Sequence, residues 1–344
     1  MATESRLPRP MSALDTLCDW IAIDSVTGRE GDYGDALARH VARLGLGVER
    51  QELAEGRFNV LARADEPRLV FCTHLDTVPP WYGPRRAAGT IHGRGACDAK
   101  GPALAMIEAG RRLLESGERR FGYLFTVGEE TDSAGAQLAN ARSSAAWRPS
   151  FTIIGEPTEN RFVRGHKGVF KGRLLAHGVA AHSSQPLGPS AIHELVRAMH
   201  GMLGEVWGEH ALFGRGSINF GLLEGGLAAN VVAPTASAAV MVRAVEEPAR
   251  VEARLRAHLS KDVELAVDKS YGPVEFLVPG GGEPFLVGFG TDAPWLTRFG
   301  QRLLYGPGNI ADAHTDHELL AEDSFHRAVA DYERTARELL SRNA

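Results

Sequence analysis

Leu69-Val-Phe-Cys-Thr73, followed by His74-Leu-Asp76, is the stretch on which the reading of this chain turns. The first five residues form an apolar run too short for a helix and rich in β-formers, which predicts a buried strand. The His and Asp beyond it stand two apart, so an extended segment turns both the same way. Working outward, Asn59–Ala62, Tyr123–Val127 and Phe151–Ile154 are runs of the same kind. Around them apolar residues recur at helical spacing, first at Leu14, Leu17 and Ile21, then at Tyr33, Leu37, Val41 and Leu44. A third helix is expected over Ala103–Leu114, just after Gly101-Pro102. This alternation predicts an α/β fold: a mainly parallel sheet covered by helices.

The rhythm changes near Lys167. A strand (Phe170–His177), a helix (Ser190–Val206) and two strands (Ser217–Leu223, Ser237–Val242) are expected, then a helix (Pro248–Leu259) and a strand (Val263–Val267). The order β-α-β-β-α-β is that of a ferredoxin-like domain. After Pro273, the run Pro279-Gly-Gly-Gly leads back to helix, strand and a long C-terminal helix, Asp323–Leu340. The expected organisation is a discontinuous larger domain, residues 1–165 and 273–344, into which residues 166–272 are inserted.

Composition agrees and narrows the function. A chain of 344 residues suits two domains. With 44% apolar and 24% charged residues, disordered and fibrous classes are excluded. Thirty-eight basic against 43 acidic residues leave a net charge of -5. That is no excess with which to neutralise nucleic-acid phosphates or anionic lipid, so neither partner is expected. No apolar run approaches the roughly 18–20 residues of a membrane helix. The N-terminus MATESRLPRPMSALDTL lacks the apolar core of a signal peptide, so a cytoplasmic location is expected. Cys18, Cys72 and Cys97 are too few and scattered for a disulfide framework or a cysteine zinc site.

Metal-type ligands gather at strand ends. His74 and Asp76 follow one strand, Glu129-Glu130 another, and Glu156 a third; Asp98 lies ahead of a helix and His314 close to the last one. Sites in open α/β sheets form outside the carboxyl ends of the strands, so most of these groups converge. Two imidazoles with several carboxylates and no thiolate suit zinc or a similar divalent ion, and one carboxylate can bridge two metals. Each residue also has a plainer use, such as an N-cap for Asp98; their conjunction favours the metal. Gly93-Arg-Gly95 is a poor dinucleotide fingerprint, because Asp98 stands in place of the third glycine. A Gly-x-Ser-x-Gly elbow is missing.

Four motifs carry a resemblance: Thr73-His-Leu-Asp-Thr-Val-Pro79, Gly93-Arg-Gly-Ala-Cys-Asp-Ala-Lys-Gly101, Gly128-Glu-Glu130 and Gly155-Glu-Pro-Thr158. With them the chain resembles the dizinc aminoacylase and carboxypeptidase family of co-catalytic metallohydrolases, over nearly its whole length. The resemblance implies that His74, Asp98 and Glu156 hold one Zn2+ and Asp98, Glu130 and His314 a second, with Co2+ or Mn2+ as substitutes. It also makes Glu129 the general base, Asp76 the residue that orients His74, and the inserted domain a lid that forms a homodimer.

His166-Lys-Gly168, Ala181-His-Ser-Ser184, Gly290-Thr-Asp-Ala-Pro-Trp295 and Tyr305-Gly-Pro-Gly-Asn-Ile310 resemble the acetylornithine deacetylase group more closely. Asp292 stands where that group has Glu, and Thr315 where it has proline. The implied activity is hydrolysis of an N-acyl amino acid, N-acetylornithine first, in arginine biosynthesis. Acetylcitrulline, acetyl-lysine or succinyl-diaminopimelate are other substrates, and a di- or carboxypeptidase or a non-catalytic binding protein other readings. His182 would reach the partner subunit's site as an oxyanion donor. Asn230 and Arg243 are candidates for the substrate's carboxylate, and Thr291 and Asp292 for other substrate contacts; Asp292 could pair with an ammonium or cap the helix near Pro294.

Overall fold

The computed structural model describes residues 12–185, 187–281 and 285–342. Residues 1–11, on which most of the signal-peptide reading rests, and Gly282 of the glycine-rich run lie outside that set. The chain divides into two units. The first runs to Arg164, resumes over Phe276–Phe285 and again from Thr291; the second comprises Gly165–Glu275 and Leu286–Gly290. A single return near 273 is therefore too simple. Leu286–Val287 pairs in parallel with Gly165–His166, which also pairs with Val274–Glu275, and this ladder keeps residues 286–290 in the second unit.

The first unit is built on a six-stranded sheet in the order Gly47–Ala54, Arg57–Arg63, Phe121–Thr126, Leu69–His74, Phe151–Ile154, Gln301–Leu304. The last four run parallel, and the first two extend the sheet as an antiparallel edge. Leu69–His74, Phe121–Thr126 and Phe151–Ile154 are buried along their whole length, which is why they read as continuous apolar runs. Gly47–Ala54 is a strand that the sequence does not announce. Only Gln51 of its eight residues is buried, so pairing with Arg57–Arg63, and no pattern of its own, makes it a strand.

Helices Lys100–Glu115 and Glu322–Ser341 pack on each other and against Leu69–His74, while Gly31–Ala42 and Ala134–Ala141 pack on the antiparallel edge. Among the described residues, the helix expected after the glycine run is absent. Two short 3-10 turns, Pro279–Gly281 and Ala293–Trp295, occupy that stretch, each carrying a proline that cannot donate to a helical ladder.

In the second unit Gly168–His177, Ala191–Leu203, Ser217–Gly225, Thr235–Ala244, Pro248–Arg256 and Val263–Tyr271 follow one another as β-α-β-β-α-β. The strands form an antiparallel sheet in the order Ser217–Gly225, Thr235–Ala244, Gly168–His177, Val263–Tyr271. Phe170, Leu174, Leu195, Met202, Val240 and Leu255 belong to a core of its own. Among the described residues no helix is long and apolar enough to cross a membrane.

Close packing beneath the parallel sheet makes one glycine testable. A Cβ on Gly110, in the Lys100–Glu115 helix, would lie 1.7 Å from the Tyr123 hydroxyl and 2.8 Å from Phe121 Cε2. Relieving a helical glycine is worth about 0.5–1 kcal/mol, whereas overpacking a core costs about 1–3 kcal/mol. Gly110→Ala should therefore lower the urea midpoint at an unchanged m-value; a raised midpoint would show that the helix can move away.

Candidate functional site

Because four strands of the first unit run parallel, their carboxyl ends share one edge of the sheet. His74 closes Leu69–His74, Glu129 and Glu130 follow Phe121–Thr126, and Glu156 follows Phe151–Ile154. Gln301–Leu304 runs into the loop that carries His314, and Asp98 comes from the loop ahead of the Lys100–Glu115 helix. Two glycines let that loop turn. Gly95 has φ +90°, and Gly93 has φ +143° with Ile21 Cγ2 only 2.4 Å from where a Cβ would stand.

Five of these six side chains form two groups, His74 with Asp98 and Glu156, and Asp98 with Glu130 and His314, with Glu129 beside Glu130 in neither. Ligand-type atoms in each lie within 4.8 Å of one another. Asp98 belongs to both. Its Oδ1 is 2.9 Å from His74 Nε2 and its Oδ2 is 3.2 Å from His314 Nε2. Glu156 Oε2 lies 3.8 Å from His74 Nε2, and Glu130 lies 3.0 Å from His314 Nε2. His74, Asp98 and Glu156 are buried, Glu130 is half-buried and His314 is exposed. The His314 backbone is left-handed, with φ 63°, a conformation that costs a β-carbon-bearing residue energy and recurs at functional sites. Its neighbour holds it: Thr315 Oγ1 donates to Asp312 O at 2.6 Å, and Thr315 O accepts from the Tyr82 hydroxyl at 3.1 Å.

Asp76 stands beside His74, but its carboxylate is used differently from the expectation. His74 Nδ1 is 2.8 Å from the backbone oxygen of Asp76 and 3.6 Å from Oδ1. A proton on Nδ1 donated to that carbonyl would leave the Nε2 lone pair free to join oxygens of Asp98 and Glu156 on a cation. The Asp76 carboxylate accepts instead from the backbone N–H of Glu129 at 3.1 Å, that of Glu130 at 3.2 Å, and Thr27 Oγ1 at 2.8 Å. One residue thus holds both the histidine and the Glu129-Glu130 turn.

Charge in the site is unbalanced. Burial, with neighbouring carboxylates adding to it, pushes Glu129 and Glu156 well above the usual carboxyl range, and Glu130 rises for the same reasons. Burial alone would lower His74, yet hydrogen bonds to Asp76 and Asp98 raise it far above a free imidazole. Hydrogen bonds to Asp98 and Glu130 lift His314 to about 10. Asp98 is held low, since His314 and His74 outweigh the cost of its burial. Protons are drawn onto two imidazoles to offset crowded carboxylates, which is the work a bound cation does better. Two imidazoles and three carboxylates fit a pair of zinc-like ions. Cys97 is no ligand candidate: it is buried, with its thiol pushed far up by that burial.

The remaining candidates lie elsewhere. Thr291 and Asp292 are buried in the first unit. Asp292 Oδ2 accepts from Thr126 Oγ1 at 2.7 Å and makes no cap; Thr291 Oγ1 accepts the Ala293 N–H at 3.1 Å instead. His182, Asn230 and Arg243 belong to the second unit. His182 is exposed, and Ser183 N–H donates to Asn230 O at 3.0 Å, so His182 and Asn230 sit on adjoining segments. Arg243 lines a cavity of about 310 Å³ with Lys167 and Ser217, and pairs with no carboxylate among the described residues. Sequence reasoning missed Thr27, Arg94 and Glu318; Arg94 stood inside the Gly93–Gly101 motif and Glu318 four residues after His314, but nothing local gave either a role.

Residues 70–338 match Peptidase family M20/M25/M40. The chain belongs to this peptidase family. A peptidase M20 domain-containing protein of Schizosaccharomyces pombe is 33% identical over 347 residues, covering 96% of this chain and 86% of that protein. A probable carboxypeptidase of Aspergillus fumigatus is 34% identical over 380 residues, with 95% and 86% covered. In fold the chain is similar to aminopeptidase PepT from Bacillus cereus, with TM-score 0.79, 18% identity and 96% and 98% of the two chains covered. The M20 family metallo-carboxypeptidase Sso-CP2 from Sulfolobus solfataricus gives TM-score 0.78 at 17% identity, over 95% and 99%. The mixed α/β fold with its mainly parallel sheet is the fold of these M20 structures.

Loading the metal-free protein with Zn2+ at neutral pH should release protons, because the imidazoles and raised carboxyls hold them until a cation arrives. Affinity should climb with pH towards about 10, where His314 surrenders its proton unaided. Titration calorimetry in two buffers of different ionisation enthalpy reads this directly; equal heats in both would contradict it.

Proposed function

We propose that this family member is a metal-dependent amidohydrolase that cuts the amide on the amino side of an amino acid bearing a free carboxylate. The observation that carries the reading is Asp98 set between His74 and His314, with Glu129 next to Glu130 at the same edge. His74, Asp98 and Glu156 would hold one Zn2+, and Asp98, Glu130 and His314 would hold the other. When bound, such a pair lowers the pKa of a water from about 15.7 towards about 7 and polarises the acyl carbonyl.

Glu129 would take a proton from the attacking water as its oxygen bonds the acyl carbon, and hand it to the amine nitrogen as the C–N bond breaks. A carboxyl whose pKa is raised by burial suits a group that must keep a proton between two steps. Asp76 keeps Glu129 aimed through its backbone N–H. Arg243, with Lys167 and Ser217 in the same cavity, supplies a cationic fork for the substrate's carboxylate, and Asn230 a further donor. His182 serves as an oxyanion donor to the site of the partner subunit.

The names of the relatives favour a C-terminal peptide bond as the amide. The motifs around His166, His182 and Thr291 favour N-acetylornithine deacetylation as a second reading. Asp292 is buried and its Oδ2 already accepts from Thr126 Oγ1, so only Oδ1 would remain for an ornithine ammonium. We further propose a homodimer through the second unit. Ile192, Val196 and Leu203 are exposed on Ala191–Leu203, and Leu222 and Leu223 on Ser217–Gly225, a strand paired along only one side.

Glu129→Gln should keep its metal and lose about 10²–10⁴ in kcat; substantial surviving turnover would remove Glu129 from the chemistry. Amine release from dipeptides and N-acyl-peptides, run beside N-acetyl-L-ornithine, N-acetylcitrulline and succinyl-diaminopimelate, separates the two readings, and loss of turnover with a chelator tests the metal. For the dimer, Leu223→Arg should give monomers in light scattering. If the wild type is itself monomeric at every concentration, the dimer reading is wrong.

A further inference from the structure

Behind Asp98 lies a second buried carboxylate that the mechanism above does not use. Glu318 is 0% and Arg94 1% exposed, and Glu318 Oε2 accepts from Arg94 Nη1 at 2.7 Å. Its Oε1 accepts three backbone N–H groups, those of Gly95, Cys97 and Asp98, each at 3.1 Å. The Glu318 backbone is tied to the same loop, for Gly93 N–H donates to Glu318 O at 3.1 Å. Tyr82 completes the frame. Its hydroxyl accepts the Glu318 N–H at 2.8 Å and donates to Thr315 O at 3.1 Å, next to His314, while its ring lies 5.1 Å from the Arg94 guanidinium.

We propose that Glu318 is the positioning residue of the site: one carboxylate oxygen gathers the N–H groups of the Gly95–Asp98 turn and thereby aims Asp98 between His74 and His314. Surface loops find their hydrogen bonds in water, but these three N–H groups are buried and converge on a single acceptor. Because Glu318 and His314 share one short segment, the same residue fixes the distance between the Asp98 loop and the His314 loop. The inference rests on the metal reading above. It adds that metal affinity is set by a side chain that touches no metal, an effect typically worth about 10–100-fold when such a partner is removed.

The test uses Co2+ as the probe, titrated into metal-free full-length wild type, Glu318→Gln, Glu318→Asp and Arg94→Lys, with visible absorption and thermal melting recorded on each. Glu318→Gln loses the charge that gathers the turn. Glu318→Asp keeps the charge but is one methylene short, and remains available if the amide variant does not fold. Both should bind Co2+ about 10–100-fold more weakly, with an altered ligand-field spectrum and a fall in kcat larger than any change in KM. Arg94→Lys leaves the Oε1 cradle in place, so it should melt lower while keeping the wild-type cobalt spectrum. Wild-type cobalt affinity and spectrum in both Glu318 variants, with only the melting temperature reduced, would overturn the inference alone. A wild type that takes up no Co2+ would overturn the metal reading and this inference with it.

Discussion

One buried carboxylate serving two histidines is the constraint on which the rest of this molecule hangs. Asp98 offers Oδ1 to His74 and Oδ2 to His314, so the spacing of the two ligand groups is the width of a single carboxyl. Gathering Glu129, Glu130 and Glu156 around it would be prohibitive on electrostatic grounds, since like charges in a poorly hydrated place raise one another's pKa. The two imidazoles offset part of that, and a bound cation would offset more.

Holding such an arrangement requires a stiff floor, and the aromatic core supplies it. Phe71 stacks on Tyr123 at 5.8 Å, Tyr123 on Phe125 at 5.6 Å, and Tyr332 of the C-terminal helix meets the edge of Phe71 at 5.8 Å. The Tyr332 hydroxyl donates to Tyr305 O at 2.7 Å, which fastens the chain just past the Gln301–Leu304 strand. Packing thus reaches from the middle of the sheet to the strand ends without a soft layer between.

Strand ends could be read from the sequence because each was a short apolar run followed, at once or after a glycine, by a charged or imidazole side chain. His74, Glu130 and Glu156 stand out in that way, and the parallel topology then brings them to one edge. What could not be read depends on partners far along the chain. Glu318 meets the Asp98 N–H across 220 positions, and no local pattern marks it as the acceptor for the Gly95–Asp98 turn. Gly47–Ala54 has the composition of a loop and becomes a strand through its neighbour. Asp76 shows where a local rule stops. Alternation placed it on the side of His74, but the chain leaves the strand at His74, so its carbonyl, at 2.8 Å, comes closer to the ring nitrogen than its carboxylate, at 3.6 Å.

His74 and His314 stand near opposite ends of the chain, and the whole of Gly165–Glu275 is threaded between Glu156 and the Gln301–Leu304 strand. That strand docks in parallel on Phe151–Ile154, a long-range pairing that forms late and slowly compared with local contacts. On the ribosome, where domains fold as they emerge, the second unit with its own core is therefore synthesised before the first can close. A nascent chain halted within the second unit already carries His74, Asp98, Glu130 and Glu156. It lacks Glu318 to aim Asp98 and His314 to finish the second group. Such a product carries one complete ligand group and part of the other, and the later-translated segment from His314 to Glu318 supplies the missing imidazole and the acceptor for the Asp98 turn.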